Sequence, residues 1–459
     1  MKPLVLITSL IIASVITALM PFLTAQAELS LSAGLKSRGE FNDNIFLDRS
    51  DNEGKESDFI SRIGPELKLD YASRSVDTKL TYSYERRNYL RNSNENEDVQ
   101  AFDFGSQIRP IKDLLYLDVG TIQAATQVDS RRASGFNNLL NNRTEQRGLT
   151  ISPYLSRQLN STLAVTGGYS FSDIDFTTTG GSGSSGDGED HKEYNLFASV
   201  AKKVAGKTTL SLNYNNLRHQ AAVNSDYKRN DLSLAGEYLA TDRLTFDGEL
   251  GRHWFNYASL ENSNDGFGHV TSSYLLTRNK TLELGYSVVA SGVSGFQNIA
   301  PAPEEPEGPV ADEIEGFGDT QGGATFTRRF DATFKRTGKV NSTVNAYGSN
   351  IDYSESDRKD ELRGVTVRFA RQLSGRTTGF LRGIAEKRNF IGGGLSSEVT
   401  SYRYSFETSL SYRLTSRFTA NVGYNYNTEK SSREESDYNN NILWLRIGVN
   451  LPELQKIIK

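Results

Sequence analysis

The chain has 459 residues, of which 36% are hydrophobic and 10% aromatic, and its formal net charge is −4. The near balance of charge gives no support for nucleic-acid binding. The absence of cysteine excludes disulfides, thiol catalysis and cysteine-held metals. The mean hydropathy is −0.52, and no apolar run of about twenty residues follows the N-terminus, which argues against a helical membrane protein. Low hydropathy with many aromatic residues and glycines is typical of a membrane β-barrel, where only alternate residues face lipid.

The first 27 residues have the pattern of a secretory signal peptide. Lys2 precedes an apolar run from Leu4 to Leu23, and Ala25-Gln26-Ala27 supplies a small-x-small cleavage site. We therefore predict cleavage before Glu28. The first strand would then begin at Leu29, which leaves no segment for the globular plug of a TonB-dependent transporter.

After residue 27, one unit recurs: an alternating strand, a short polar turn, a second alternating strand and a longer polar connection. Hairpins need short turns of this kind; examples are Ala72–Ser75, Ala240–Asp242, Arg336–Lys339, Leu373–Arg376 and Leu414–Arg417. The longer connections include Asp48–Ser57, Asp129–Asn142, Thr177–Asp190, Asn298–Gly316 and Glu429–Ser436.

Alternation of short and long connections predicts the topology, because outer-membrane barrels have short periplasmic turns and longer extracellular loops. We predict an all-β protein, a transmembrane antiparallel up-and-down β-barrel of about 20 strands (roughly 18–20), in the outer membrane of a Gram-negative bacterium. The barrel would span residues 28–451, and residues 452–459 would form a short periplasmic C-terminal tail. A soluble β-sandwich has the same alternation, but it rarely repeats such long hairpins so often.

The hairpin Ser401–Asn427 shows the alternation most clearly, because aromatic and aliphatic side chains occupy one face and polar side chains the other. Polar walls face the lumen of such a barrel. The candidates for this wall are Arg403, Glu407, Arg413 and, on the last strand, Arg446. Their mixed signs predict ion pairing across the lumen instead of the ladder of one sign expected of a selectivity filter. Pro65 and Pro153 lie within strand-like stretches and predict a bulge or a late strand start.

Catalytic and metal-binding patterns are weak in this sequence. The four histidines are far apart and share no ligand spacing. His253 lies inside a confident strand, which leaves an outer-membrane hydrolase as a minor alternative, but no nucleophile pairs with it. The acidic clusters match no calcium loop. We therefore predict a protein that is not an enzyme, with no catalytic, cofactor-binding or metal-binding residues.

The segment from Phe41 to Phe46 reads aromatic, Asn, Asp-Asn, aliphatic, aromatic, and Asp43, Asn44 and Ile45 form its centre. It resembles a signature of exopolysaccharide-linked outer-membrane barrels. In layout the whole chain is similar to the PEP-CTERM system-associated outer-membrane proteins, which occur with exosortase and exopolysaccharide genes. The resemblance implies a role in exopolysaccharide export or surface assembly; the alternative is a general diffusion porin for small solutes. The expected partners are outer-membrane lipid and lipopolysaccharide, the barrel-assembly machinery and exopolysaccharide, with no nucleic acid.

Overall fold

The structure is a computed structural model that describes residues 27–48, 55–127, 143–178, 189–222, 226–258, 261–291, 325–354, 356–393, 398–433, 437–451 and 454–458. The predicted signal peptide, apart from Ala27, therefore lies outside the described residues. The same holds for most of the predicted loops Thr177–Asp190 and Asn298–Gly316.

The described residues form 21 strands of one antiparallel sheet. The strands are β1 Ala27–Asn42, β2 Asp58–Ser73, β3 Val76–Tyr89, β4 Glu97–Ile111, β5 Leu115–Gln127, β6 Arg143–Asn160, β7 Leu163–Thr178, β8 His191–Ala205, β9 Thr208–Ala221, β10 Tyr227–Thr241, β11 Leu244–Tyr257, β12 Ser263–Thr277, β13 Lys280–Ser291, β14 Thr325–Arg336, β15 Val340–Tyr353, β16 Lys359–Gln372, β17 Thr377–Ile391, β18 Val399–Arg413, β19 Phe418–Ser431, β20 Tyr438–Asn450 and β21 Leu454–Ile458.

Each strand pairs with its neighbours in chain order, and the sheet closes on itself where β1 meets the end of the chain. β1 pairs with β2 along its full length and with β20 over Gly34–Asn42. The fold is therefore a closed 20-strand antiparallel barrel with up-and-down connections, as the pattern predicts.

Two consecutive segments, β20 and β21, together occupy the place of the last strand in the barrel and pair with β1. β20 ends at Asn450, and β21 continues the same position by pairing with Ala27–Leu31 of β1. Residues 454–458 of the predicted C-terminal tail thus form a short strand that continues the wall.

The strand lengths place the barrel relative to the membrane. β1–β20 have between 12 and 18 residues each, whereas a tilted strand crosses a bilayer with about 9–11. The surplus residues therefore extend the wall beyond the hydrocarbon layer. The sheet keeps the predicted alternation: Tyr402, Tyr404 and Phe406 are exposed on the outer face, and Ser405 and Glu407 are buried on the inner face.

Both prolines inside strands are accommodated without the predicted bulge or late start. β2 begins seven positions before Pro65, and its register with β3 is the same before and after the proline. The register of β6 with β7 is likewise unchanged across Pro153. At Pro65, the β3 backbone approaches Gly64 so closely that an added Cβ would lie 1.6 Å from the Tyr84 carbonyl oxygen. Glycine at position 64, which has no Cβ, therefore permits this close approach of the two backbones.

The described part of the chain contains one short turn of 3₁₀ helix, Ser93–Glu95. None of its helices has the length and apolar character needed to cross a membrane.

Candidate functional site: the inner wall of the barrel

The segment from Phe41 to Phe46 fastens the first strand to the last. Asp43 accepts hydrogen bonds from the backbone and the side chain of Asn441, both at 2.7 Å. The Asn440 amide donates to Asn42 Oδ1 at 2.5 Å and to the Asn44 carbonyl at 2.9 Å. We call residues 42–44 together with residues 439–441 the seam clasp.

Asn44 of the seam clasp is fully buried, as is Asn440. Asn44 Nδ2 donates to the carbonyls of Asp48, at 2.8 Å, and Asn439, at 2.9 Å. Its Oδ1 accepts from the Asp48 backbone N–H at 2.8 Å. All the polar atoms of this side chain are therefore satisfied within the protein.

Phe41 and Ile45, two apolar residues of the same segment, differ in their exposure. Phe41 is about half-exposed (48%) on the outer face. Ile45 is fully buried and packs with Ile60, Tyr89 and Phe46. The segment thus joins β20, β1, β2 and β3 at one rim of the barrel, and its observed role is structural.

Below this rim, four arginines lie side by side across four adjacent strands. Arg446 of β20 is directly opposite Arg38 of β1, which is opposite Arg62 of β2, which is opposite Arg87 of β3. We call these residues the arginine row. Directly opposed like charges destabilise a sheet, so this row requires compensation.

Glutamates supply part of that compensation. Glu40 contacts Arg38 at 3.0 Å and Arg62 at 2.7 Å. Glu85 contacts Arg87 at 2.5 Å, and Glu97 contacts the same guanidinium at 3.1 Å. The predicted ion pairing on the inner wall is present, but it surrounds a row of one sign. The prediction that the wall has no run of one sign is therefore wrong. The four arginines are far apart in sequence and become neighbours only when their strands pair.

A second group of arginines surrounds Glu407. Arg368, Arg382 and Glu407 are consecutive cross-strand neighbours on β16, β17 and β18. The Glu407 carboxylate, 1% exposed, interacts with the charges of Arg382, Arg38, Arg446 and Arg368. Arg403 is opposite Glu386 and Glu429 on the neighbouring strands. We call Glu407 and the arginines that surround it the Glu407 cluster; it continues the arginine row around the wall.

The lumen-facing candidates occupy different parts of this wall. Glu407 is at the centre of the Glu407 cluster, Arg446 is in the arginine row, and Arg403 is two residues from Glu407 on β18. Arg413 does not join them: it is exposed at the turn end of β18 and donates to the Gly375 carbonyl at 2.8 Å.

Uncharged polar groups adjoin the Glu407 cluster on β18 and β19. Ser401, Ser405 and Ser409 are buried, and their hydroxyls have no hydrogen-bond partner among the described residues. On the neighbouring strand, Asn425 accepts from Trp444 Nε1 at 3.2 Å, while its Nδ2 makes no hydrogen bond within the described part of the protein. Buried polar groups of this kind commonly hydrogen-bond ordered water.

The opposite part of the wall contains the histidines. His253 Nδ1 bonds Asp231 at 2.6 Å, and its ring stacks on Phe267 with centroids 3.8 Å apart. Its Nε2 has no hydrogen-bond partner in the described ranges, so the hydrolase alternative gains no positioned nucleophile. His191 and His219, in contrast, come together with Glu193 although no sequence spacing connects them.

Comparisons with known proteins bear on the fold alone. No protein-family model matches the chain, and no curated protein is similar to it in sequence. Among solved structures, it is similar to the FrpB iron transporter from Neisseria meningitidis (F5-1 variant), with a TM-score of 0.51 and 8% identity over 92% of this chain and 82% of that one. It is also similar to a mutant of the ferric enterobactin receptor PfeA from Pseudomonas aeruginosa, with a TM-score of 0.49 and 8% identity over 93% and 81% of the two chains. The protein is therefore a large closed antiparallel β-barrel.

Proposed function

We propose that this barrel is a non-enzymatic outer-membrane passage for an acidic saccharide polymer, in the export or surface assembly of an exopolysaccharide. The observation that carries the proposal is the arrangement of charge on the inner wall from β16 to β3. The resemblance of the Phe41–Phe46 segment to exopolysaccharide-linked barrels supports the class of cargo.

Burial distinguishes the charged groups of this wall. Four glutamates, Glu40, Glu386, Glu407 and Glu429, are buried, and so are four arginines, Arg38, Arg62, Arg382 and Arg388. Three further arginines, Arg368, Arg403 and Arg446, are only half-buried. A solute in the lumen beside the Glu407 cluster therefore meets these three guanidinium groups before it meets the buried carboxylates. We infer that the charge presented to the lumen there is positive.

Arginine suits an acidic sugar because its planar fork binds carboxylate, sulfate or phosphate with two parallel hydrogen bonds. A barrel of this strand number is wide enough for an aqueous passage. The proposal further implies contact with lipid and lipopolysaccharide on the outer face, and insertion by the barrel-assembly machinery.

Deletion of the gene tests this function in the cell. We expect surface polysaccharide to fall, and to be restored by the wild-type barrel but not by a folded Arg368→Gln/Arg446→Gln variant. Unchanged surface polysaccharide after deletion would reject the export role. Restoration by the double variant would reject the role of the arginines.

A general diffusion porin is the alternative, supported by the polar inner wall. Permeation of radiolabelled neutral and acidic oligosaccharides into proteoliposomes distinguishes the two. We expect faster uptake of the acidic sugar, whereas a porin that selects by size alone would admit both equally.

A further inference from the structure

We propose that His191, Glu193 and His219 bind a divalent transition-metal ion of the Zn²⁺ class, at the end of β8 and β9 that is remote from their short turn. The site is separate from the arginine row and from the Glu407 cluster. It does not depend on the proposed function.

The sheet register assembles the three side chains. Glu193 and His219 are directly opposite each other on β8 and β9, and His191 is two residues before Glu193, on the same face of β8. One potential ligand atom from each side chain lies within 4.8 Å of the other two. In a tetrahedral zinc site with bonds of about 2.1 Å, ligand atoms are about 3.4 Å apart. Side-chain shifts of about 1 Å would close the site.

The hydrogen bonds of His191 leave a nitrogen ready to bind. Its Nδ1 lies 2.8 Å from the Glu189 backbone carbonyl oxygen. Since a carbonyl can only accept, Nδ1 carries the proton and Nε2 keeps its lone pair. Nε2 is buried and has no hydrogen-bond partner among the residues that the structure describes. Metal-binding histidines usually have this arrangement, with one ring nitrogen oriented by a carbonyl and the other free for the ion.

The other two ligands are held in place by their surroundings. His219 Nδ1 is 3.3 Å from Glu193 Oε1, and the His219 ring stacks on Tyr227 with centroids 4.6 Å apart. The nearby cation Arg229 is balanced, because it contacts Asp231 at 3.0 Å and donates to the Ala290 carbonyl at 3.1 Å. Two imidazoles and one carboxylate make a typical ligand set for Zn²⁺ with one open position.

His269 also lies between two carboxylates, but it cannot bind a single metal ion together with both of them. Its Nε2 faces Asp247 at 2.8 Å, and its Nδ1 faces Glu249 at 3.8 Å. Because the two carboxylates lie on opposite ring nitrogens, they cannot meet at a single metal. His269→Gln is therefore a matched control that removes an inner-wall histidine outside the site.

Isothermal titration of the chelator-stripped, detergent-folded full-length mature barrel with ZnCl₂ tests the proposal. We expect one Zn²⁺ per chain for the wild type and for His269→Gln. The affinity should fall at least tenfold in His191→Gln and in the isosteric Glu193→Gln, which preserves the packing if the histidine variant fails to fold. X-ray absorption of the zinc-loaded wild type should show imidazole scattering from two histidines.

Two results would overturn the assignment. The first is the absence of a stoichiometric site in the wild type. The second is equal Zn²⁺ affinity of the wild type and Glu193→Gln with no imidazole scattering, which would place binding on acidic groups elsewhere.

Discussion

Replacement of Asn44 by alanine should loosen the seam where the barrel closes. The substitution removes a fully buried amide that makes three hydrogen bonds, two to the Asp48 backbone and one to the Asn439 carbonyl. The backbone groups of the half-buried Asp48 and Asn439 lose these partners. The seam is the sensitive place for such a loss, because only the pairing of β1 with β20 and β21 closes the barrel.

The expected cost follows from the number of bonds. A hydrogen bond contributes about 0.5–1.5 kcal/mol net, and an unpaired buried group costs about 1–3 kcal/mol. Asn44→Ala should therefore lower the free energy of unfolding by about 2–4 kcal/mol. Asn44→Asp should cost at least as much, since it places an oxygen against two carbonyl oxygens where the amide donated.

Urea unfolding of the barrel in lipid vesicles, followed by the heat-dependent mobility shift on gels, measures this cost. Asn439→Ala is the control, because its side chain bonds Lys55 while its backbone carbonyl, the Asn44 acceptor, is retained. We expect the control to lose about 1 kcal/mol or less. If Asn44→Ala unfolds at the same urea concentration as the wild type, the seam clasp does not hold the barrel closed.

Two further predictions test the close packing at Pro65 and the direction in which the walls face. Gly64→Ala should cost at least about 2 kcal/mol in the same unfolding assay, because its Cβ would collide with the Tyr84 carbonyl; Gly105→Ala, which meets nothing within 4 Å, should be nearly neutral. Brominated lipid should quench the fluorescence of the half-exposed Trp254 and leave that of the buried Trp444 unchanged; equal quenching of both would contradict the assignment of the outer and inner faces.

The alternation of side chains made the architecture predictable. Strand after strand repeats the period of Ser401–Asn427, and short turns such as Leu373–Arg376 separate β16 from β17 where the sequence places them. This information is local, because both periodicity and turn chemistry are contained within about a dozen residues. The number of strands and their up-and-down order follow from such local signals.

Cross-strand neighbours were not predictable in the same way. Arg446 and Arg38 are directly opposite each other, although they are near opposite ends of the chain, and a shift of register by one residue would separate them. The same reason explains the missed meeting of His191 with His219. Aligning the two strands of each hairpin about its turn would have paired Glu193 with His219, but it would not have paired the first strand with the last.

The segment from Phe41 to Phe46 shows a different limit. Its residues form a recognisable motif, yet their hydrogen bonds go to residues 439–441 and their apolar contacts to Ile60 and Tyr89. The described contacts of this segment therefore lie within the barrel wall. The residues proposed to contact the cargo lie in the arginine row and the Glu407 cluster.

The zero-current potential of the purified barrel in a planar bilayer, across a gradient of KCl, tests the positive inner wall most directly. The structure predicts a preference for Cl⁻ over K⁺ that is reduced in Arg368→Gln/Arg446→Gln. The preference should be unchanged in Arg413→Gln, which removes an arginine outside the Glu407 cluster. A preference for K⁺ in the wild type, or a preference for Cl⁻ that the double variant leaves intact, would contradict the account.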